Sequence, residues 1–265
     1  MTTTSHEIPF QNLIVEVEDG IGIIKINRPE LRNTLSKDTL LEIEKAIDYH
    51  ENREDVQVIV ITSEGNQSFA AGADIRQLHE RTMLEALVPG IQATFRKIEL
   101  CSKPTIAAIN GYALGGGCEL AISCDIRIAA DHCKIGLPEL NLGIIPGGGG
   151  TQRLARIVGK GRALEMILTG TLIDAKRAEE IGLVSRAVPY EQLWDAVKET
   201  ANKIKGKGPV AIRLAKMVIN RGYDLDLDSA LMMEKLAQTV AFATEDKYEG
   251  TKAFLEKRKP EFKNR

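Results

Sequence analysis

Glu119 and Glu139 are the residues of this chain best suited to chemistry. Glu119 lies in a run of Gly115, Gly116, Gly117, Cys118 and Leu120, and Glu139 lies among Gly136, Leu137, Pro138 and Leu140. Carboxylates are seldom fully buried unless they are paired or working. Two glutamates in segments that read as interior therefore suggest a general acid/base pair, with a dry wall tuning each pKa. Three small-residue clusters accompany them. Gly115–Gly117 falls between a strand and a helix. It reads either as a tight turn that needs positive φ, or as backbone N–H groups at a helix start, able to bind an anion or polarise a carbonyl oxygen. Phe69–Ile75 reads as close strand–helix packing. Gly147–Gly150, ahead of Thr151, Gln152 and Arg153, reads as a turn into a helix.

Other site chemistries fit poorly. The Gly115–Leu120 run lacks the last glycine of a dinucleotide fingerprint, and Gly159-Lys160-Gly161 is no P-loop. No serine sits in a nucleophile elbow. The cysteines Cys101, Cys118, Cys124 and Cys133 have no paired spacing and read as buried, reduced thiols. The histidines His6, His50, His79 and His132 do not cluster with them, so no metal site is expected.

With 265 residues the chain can bury a sizeable core. A net charge of −2 gives no global drive towards nucleic acid or anionic lipid. No apolar run approaches the roughly 18 residues that a membrane-spanning helix needs, and Met1–Phe10 does not read as a signal peptide. These features lead us to expect a cytoplasmic protein.

The positioning elements follow from periodicity and breakers. Leu13–Val17 and Ile21–Asn27 read as a hairpin around Glu18-Asp19-Gly20. Ser36 caps a helix whose apolar stripe includes Ile43, Ala46 and Ile47. Val56–Thr62 and Pro104–Asn110 read as buried strands, and Ile126–Ala129 and Lys134–Gly136 as further strands. Between them come a helical stretch from about Glu85 to Leu100, interrupted at Pro89-Gly90, and a helix from about Gly116 to Cys124. Asp125 reads as a cap or turn residue. From Thr151 onwards the pattern is helical. The first part of the chain thus repeats a strand–strand–helix theme and the second is a run of helices, with no linker between them.

These segments together resemble the crotonase superfamily, specifically its enoyl-CoA hydratases. The resemblance rests on Phe69–Ile75, Lys103–Gly111, Ala113–Leu120, Cys124–Arg127, Gly136–Glu139, Ile145–Leu154, Leu168–Gly170, Gly182–Val184 and Phe254–Lys259, and runs from about Leu13 to the C-terminus. It implies an α/β fold: a spiral of strand–strand–helix repeats with a helical C-terminal region. Residues 1–200 would form the spiral core with the active site, and residues 201–265 a helical oligomerisation region, within one continuous family domain. It also implies reversible addition of water to a trans-2-enoyl-CoA, with the short crotonyl-CoA type as the expected substrate. The chain would form a trimer or a dimer of trimers, with neither nucleic acid nor membrane as partner. No cofactor is implied, because coenzyme A belongs to the substrate. The alternatives are an enoyl-CoA isomerase, whose relatives usually need one carboxylate, or another crotonase-family CoA-thioester enzyme, and, more remotely, an RNA-binding relative.

The resemblance also assigns residues. The amides of Ala73 and Gly116 correspond to the oxyanion hole, and Glu119 and Glu139 to the catalytic carboxylates. Gly147 corresponds to a glycine whose amide helps orient the site. Ala71, Asp74 and Ile75 would cradle coenzyme A, and Leu114, Gly115, Pro138 and Leu140 would line the acyl pocket. Where many hydratases read Arg-Pro-Lys-Ala-Leu-Asn-Ala-Leu, this chain departs from the pattern with Glu30 and Arg32. The departure transfers the expected contact with the CoA phosphates to Arg32. The tail from Asp246 to Arg265 reads as an amphipathic helix followed by a basic stretch.

Overall fold

The computed structural model describes residues 10–88 and 90–265. Most of the polar N-terminal stretch, and Pro89 of the expected Pro89-Gly90 break, lie outside the described residues.

The first six strands in chain order are β1 (Leu13–Glu18), β2 (Ile21–Ile26), β3 (Val58–Ser63), β4 (Ser68–Ala70), β5 (Thr105–Ile109) and β6 (Tyr112–Leu114). Next come β7 (Ile126–Ala130), β8 (Lys134–Gly136), β9 (Ile173–Asp174) and β10 (Arg186–Val188). β1 and β2 form the expected antiparallel hairpin. The larger sheet has the order β1-β2-β3-β5-β7-β10, and the smaller one β4-β6-β8-β9. Apart from the hairpin and the β8–β9 pair, every ladder is parallel. The chain therefore makes a spiral. β3, β5 and β7 each extend the first sheet, and β4, β6 and β8 follow them into the second. Every residue of β3 and of β5 is buried, as expected for parallel strands covered on both faces.

The chain crosses between the sheets through satisfied polar side chains. Asn110 Nδ2 donates to the carbonyls of Ser63 and Gly65, at 2.8 and 2.6 Å, while its Oδ1 accepts from Ser63 Oγ. Asn33 similarly donates to Ser68 O at 2.7 Å. Buried amides in this setting must be hydrogen-bonded, and here the bonds fix where each strand leaves its sheet.

The helices of the first part are α1 (Lys37–Glu51), α2 (Ile75–Glu80), α3 (Met83–Leu87), α4 (Ile91–Leu100) and α5 (Gly116–Ser123). Ser36 Oγ accepts from Thr39 N, the expected cap, and Ile43, Ala46 and Ile47 are buried. Burying the two isoleucines contributes roughly 1.5–3 kcal/mol each. The helical stretch expected from Glu85 begins earlier, at Ile75, because the Asp74 carboxylate caps α2 and Thr82 with Glu85 forms a capping box for α3.

The second part holds α6 (Gly150–Val158), α7 (Lys160–Thr169), α8 (Ala175–Glu180), α9 (Leu193–Lys205), α10 (Pro209–Gly222), α11 (Leu227–Phe242) and α12 (Glu245–Leu255). α9 straddles residue 200 and packs on β3, β5 and β7. α10 is tied to the core by Lys216, whose ammonium lies 2.7 Å from the Asp125 carboxylate. Asp125 also accepts from the backbone and hydroxyl of Thr105, so it joins two sheet strands to a tail helix as well as following α5. The basic tail folds back. Asp246, 5% exposed, accepts from Lys263 N and Asn264 N, and Glu249 takes the Arg258 guanidinium. Among the described residues no helix is long and apolar enough to cross a membrane.

Candidate active site

The site is built where the second sheet meets two helix starts. β6 ends at Leu114, and Gly115 turns the chain at φ 52°, a conformation that favours glycine. A Cβ there would stand 3.2 Å from Glu139 Oε1, so the bare Gly115 leaves room for that carboxylate. α5 follows and is buried along its whole length. A Cβ on Gly117 would lie 1.9 Å from Ala70 O, so backbone packs directly on backbone.

That close packing sets the Gly116 amide beside the Ala73 amide. A Cβ on Gly116 would be 3.4 Å from Ala73 N and 3.0 Å from Ile91 Cδ1. Ala73 is fixed by an isolated bridge to Leu35, in which Leu35 N donates to Gly72 O and Asp74 N to Leu35 O. Neither the Ala73 nor the Gly116 amide donates to a backbone acceptor among the described residues. Gly116 is also the first residue of α5, where the helix dipole favours negative charge.

Glu119 is 2% exposed. Its Oε1 accepts from Gly148 N at 2.8 Å and from Gly150 N at 2.7 Å. Burial raises its pKa above the usual carboxylate range, while those two amides and the Arg153 guanidinium pull the other way. Glu139 opens a short 3-10 turn, Glu139–Leu142, and is half-buried. Its Oε2 is buried without a hydrogen-bond partner among the described residues. Burial pushes its pKa up to about 7, with the neighbouring Glu119 charge adding to the rise.

Both carboxylates line one cavity of about 1220 Å³. Of the residues expected at the site, Ala71, Ala73, Ile75, Leu114, Gly115, Gly116, Pro138 and Gly147 line it as well. Arg32, Asp74 and Leu140 do not. Asp74 uses its carboxylate to cap α2, accepting from Arg76 N. Arg32 is exposed, and its carbonyl accepts from the Ala71 amide and from Ser68 Oγ. Leu140 is half-buried, inside the 3-10 turn. Gly147 lines the cavity, but the amides that hold Glu119 belong to Gly148 and Gly150, one and three residues further on.

Sequence reading missed Ile91, Glu99 and Arg153, which also face this cavity. For Ile91 and Glu99 the signal was their four-residue spacing with Phe95, which places all three on one face of α4. The four cysteines are free and buried. Burial pushes the thiols of Cys101, Cys124 and Cys133 up to about 12, which leaves them protonated and inert. Among the described residues no three His, Cys, Asp or Glu side chains converge as metal ligands.

Known proteins resemble this chain over nearly its whole length. Residues 16–265 match the enoyl-CoA hydratase/isomerase family. The chain is 48% identical to a short-chain-enoyl-CoA hydratase of Clostridium acetobutylicum, covering 97% of this chain and 99% of that one. It is also 48% identical to a crotonyl-CoA hydratase of Syntrophomonas wolfei, over 96% of this chain and 98% of that one. A crystal structure of an enoyl-CoA hydratase from Bacillus anthracis superposes with a TM-score of 0.92 at 41% identity, covering 96% of this chain and all of that one. With the fold, the cavity and the full-length similarity in agreement, the chain belongs to the enoyl-CoA hydratase/isomerase family.

Proposed function

We propose that the protein is a short-chain enoyl-CoA hydratase, a hydro-lyase that adds water reversibly across the double bond of a trans-2-enoyl-CoA of the crotonyl-CoA type. The observation that carries the mechanism is the pairing of a buried and a half-buried carboxylate with two amides that donate to no backbone acceptor among the described residues, all in one cavity. The Ala73 and Gly116 amides donate to the thioester oxygen. Each such donor contributes roughly 2.7–4 kcal/mol as negative charge develops on that oxygen. The polarised thioester makes the β-carbon electrophilic and lets the α-carbon take a proton.

Glu119 and Glu139 divide the proton work. Glu119 is held by two amides with Arg153 nearby, all of which favour its charged form. It takes a proton from water as the oxygen bonds to the β-carbon. Glu139, with its pKa near 7, supplies the proton that reaches the α-carbon. Dehydration of the 3-hydroxyacyl-CoA runs through the same groups in reverse. Water, two carboxylates and two amides suffice for this chemistry, and coenzyme A enters as part of the substrate. Ala71 and Ile75 hold the CoA end, while Leu114 and Pro138 border the acyl end.

The working unit in this reading is a cytoplasmic homo-oligomer, a trimer or a dimer of trimers. Its support is the apolar face of the C-terminal helices, where Leu227, Met232, Leu236 and Val240 are each more than half exposed. Exposed apolar area of this kind marks a contact surface. Comparing kcat/KM for crotonyl-, acryloyl-, 3-methylcrotonyl- and decenoyl-CoA tests the activity. Crotonyl-CoA is expected to lead and decenoyl-CoA to trail. Turnover of a 3-enoyl-CoA with none on crotonyl-CoA would make the protein an isomerase instead.

A further inference from the structure

The two amides that grip Glu119 belong to a loop that has little stiffness of its own. Residues 147–150 are four consecutive glycines, and glycine is the residue with the most backbone freedom to lose. Gly149 sits at φ 105°. Some other part of the molecule must therefore hold the loop.

The Gly148 N–H and the Gly150 N–H flank one peptide plane, the unit joining Gly148 to Gly149. The carbonyl of that plane accepts from Arg153 Nη1 at 2.8 Å. A Cβ on Gly149 would lie only 2.2 Å from the same Nη1, so the guanidinium rests directly on the loop. Arg153 is in turn held by Glu99, with Nη2 to Oε2 at 3.1 Å and Nε to Oε1 at 3.4 Å, and Arg96 binds the same carboxylate. The planar fork of arginine suits such a two-point grip better than a lysine ammonium does. The Arg153 side chain is 13% exposed and the Glu99 side chain 24%.

Glu99 completes a stripe on α4. Ile91 meets Gly116, whose amide is the oxyanion donor. Phe95 underlies Gly148, since a Cβ there would come within 2.8 Å of its ring. Glu99 then reaches the loop through Arg153. One helix face thus sets both the oxyanion side and the base side of the cavity. Asn220 of α10 donates to the Glu99 carbonyl at 3.1 Å and ties that face to the tail.

We propose that Arg153, oriented by Glu99, is a positioning residue for the hydration reaction. It locks the Gly148–Gly149 peptide so that the two flanking amides hold Glu119 as a carboxylate aimed at the water. The inference rests on the reading of Glu119 as the base. The charged and titratable groups around Glu119 are Glu139 from the turn after β8, the Cys118 thiol on α5, and Arg153 on α6. Glu99 and Arg96 stand behind Arg153 on α4.

The test is steady-state hydration of crotonyl-CoA across pH by Arg153→Met, Arg153→Lys, Glu99→Gln and the double variant Glu99→Gln/Arg153→Met. Circular dichroism and Tm accompany each. Arg153→Met is expected to lower kcat roughly 10- to 100-fold, the scale of a lost charge-assisted hydrogen bond, with KM within about twofold. Its acid limb should move to higher pH, because Glu119 has lost a cation that favours its charge. Arg153→Lys should recover part of the rate. Glu99→Gln should act in the same direction but less, and the double variant should be no worse than Arg153→Met. A folded Arg153→Met with normal kcat and an unmoved acid limb would overturn the inference. If Arg153→Met does not fold, an unchanged kcat and acid limb in Glu99→Gln would do so. Glu119→Gln is the control. Normal turnover there defeats the reading of the base itself, whereas an inactive Glu119→Gln beside a normal Arg153→Met defeats the positioning role alone.

Discussion

Glu119 stands on a helix buried from end to end and gives one oxygen to two amides. Glu139 opens a half-buried 3-10 turn and leaves one buried oxygen without a partner. Both lie in the same cavity, and burial raises both pKa values. The two regions differ in what opposes that rise. At the α5–α6 junction, two helix-start amides and a guanidinium reward negative charge. At the turn after β8, burial is opposed only by Glu139's own backbone amide, and the Glu119 charge adds to the rise. In the proposed reading, backbone placement rather than residue type gives one carboxylate the role of base and the other the role of acid.

The largest expected effect comes from removing either charge while keeping the shape. Glu119→Gln and Glu139→Gln should each lower kcat on crotonyl-CoA by at least about 10²-fold, the usual scale for a general acid or base. Binding of a CoA ester should change far less. Near-normal turnover in either variant would mean that the contrast between the two regions has no catalytic meaning.

A smaller loss should follow from crowding the oxyanion side. The space at Gly116 ends 3.0 Å away at Ile91 Cδ1 and 3.4 Å away at Ala73 N. Gly116→Val would push methyl groups into the place of the thioester oxygen. We expect kcat to fall roughly 10- to 100-fold, set against the 10²–10³ of losing a donor outright, and Tm to fall by only a few degrees. A folded variant with full activity would remove Gly116 from the oxyanion site.

Legibility in the sequence was uneven, and the reasons are physical. The hairpin, α1 with its Ser36 cap, β3, β5 and α5 were readable because periodicity, breakers and burial agree there. The short strands β6, β9 and β10 were not, since runs of two or three residues carry no period, although β8, equally short, was read at Lys134–Gly136. Both carboxylates and the glycine turn stood out because charge among apolar residues is costly. Which amides bind Glu119 was not visible, because four adjacent glycines look alike in one dimension and only the fold shows that Gly148 and Gly150 point inwards. Arg32, Asp74 and Leu140 were expected near the ligand, yet they do not line the cavity. In Asp74 the sequence carried a competing signal: a carboxylate directly before a helix is a cap.

The protonation contrast predicts a bell-shaped pH dependence for hydration. As pH falls, Glu119 takes up a proton and can no longer accept one from water. As pH rises through about 7, Glu139 loses the proton it must deliver. kcat/KM should drop by up to about tenfold per pH unit on each side. The alkaline limb should be missing from the residual activity of Glu139→Gln. An alkaline limb that survives that substitution belongs to another group.

The smallest effect is on stability, and it sets Glu139 against His50. Both keep a buried polar atom without a partner among the described residues, Oε2 in one and Nδ1 in the other. His50 has no solvent access and packs beneath Gly22, where a Cβ would come within 2.6 Å of its ring. Its Nε2 faces Ile23 O at 3.3 Å. Burial lowers its pKa to about 4. The unfolded chain therefore binds the histidine proton more readily, and the stability from neutral His50 is lost as pH falls from about 6.5 to about 4. Glu139 has the opposite sign. Its folded pKa lies above the unfolded value, so its contribution is present at low pH and is lost as pH rises from about 4.5 through about 7. Between about pH 4.5 and 6.5 the two slopes oppose each other, each at most about 1.4 kcal/mol per pH unit. Urea unfolding at pH 5 and pH 6.5 should then show stability rising more steeply with pH in Glu139→Gln than in the parent protein. His50→Leu should show the reverse, a flatter or falling trend. Identical pH slopes in the parent and in Glu139→Gln would mean that the fold does not hold the Glu139 carboxyl neutral, and the acid assigned to the reaction would have to be sought elsewhere in the cavity.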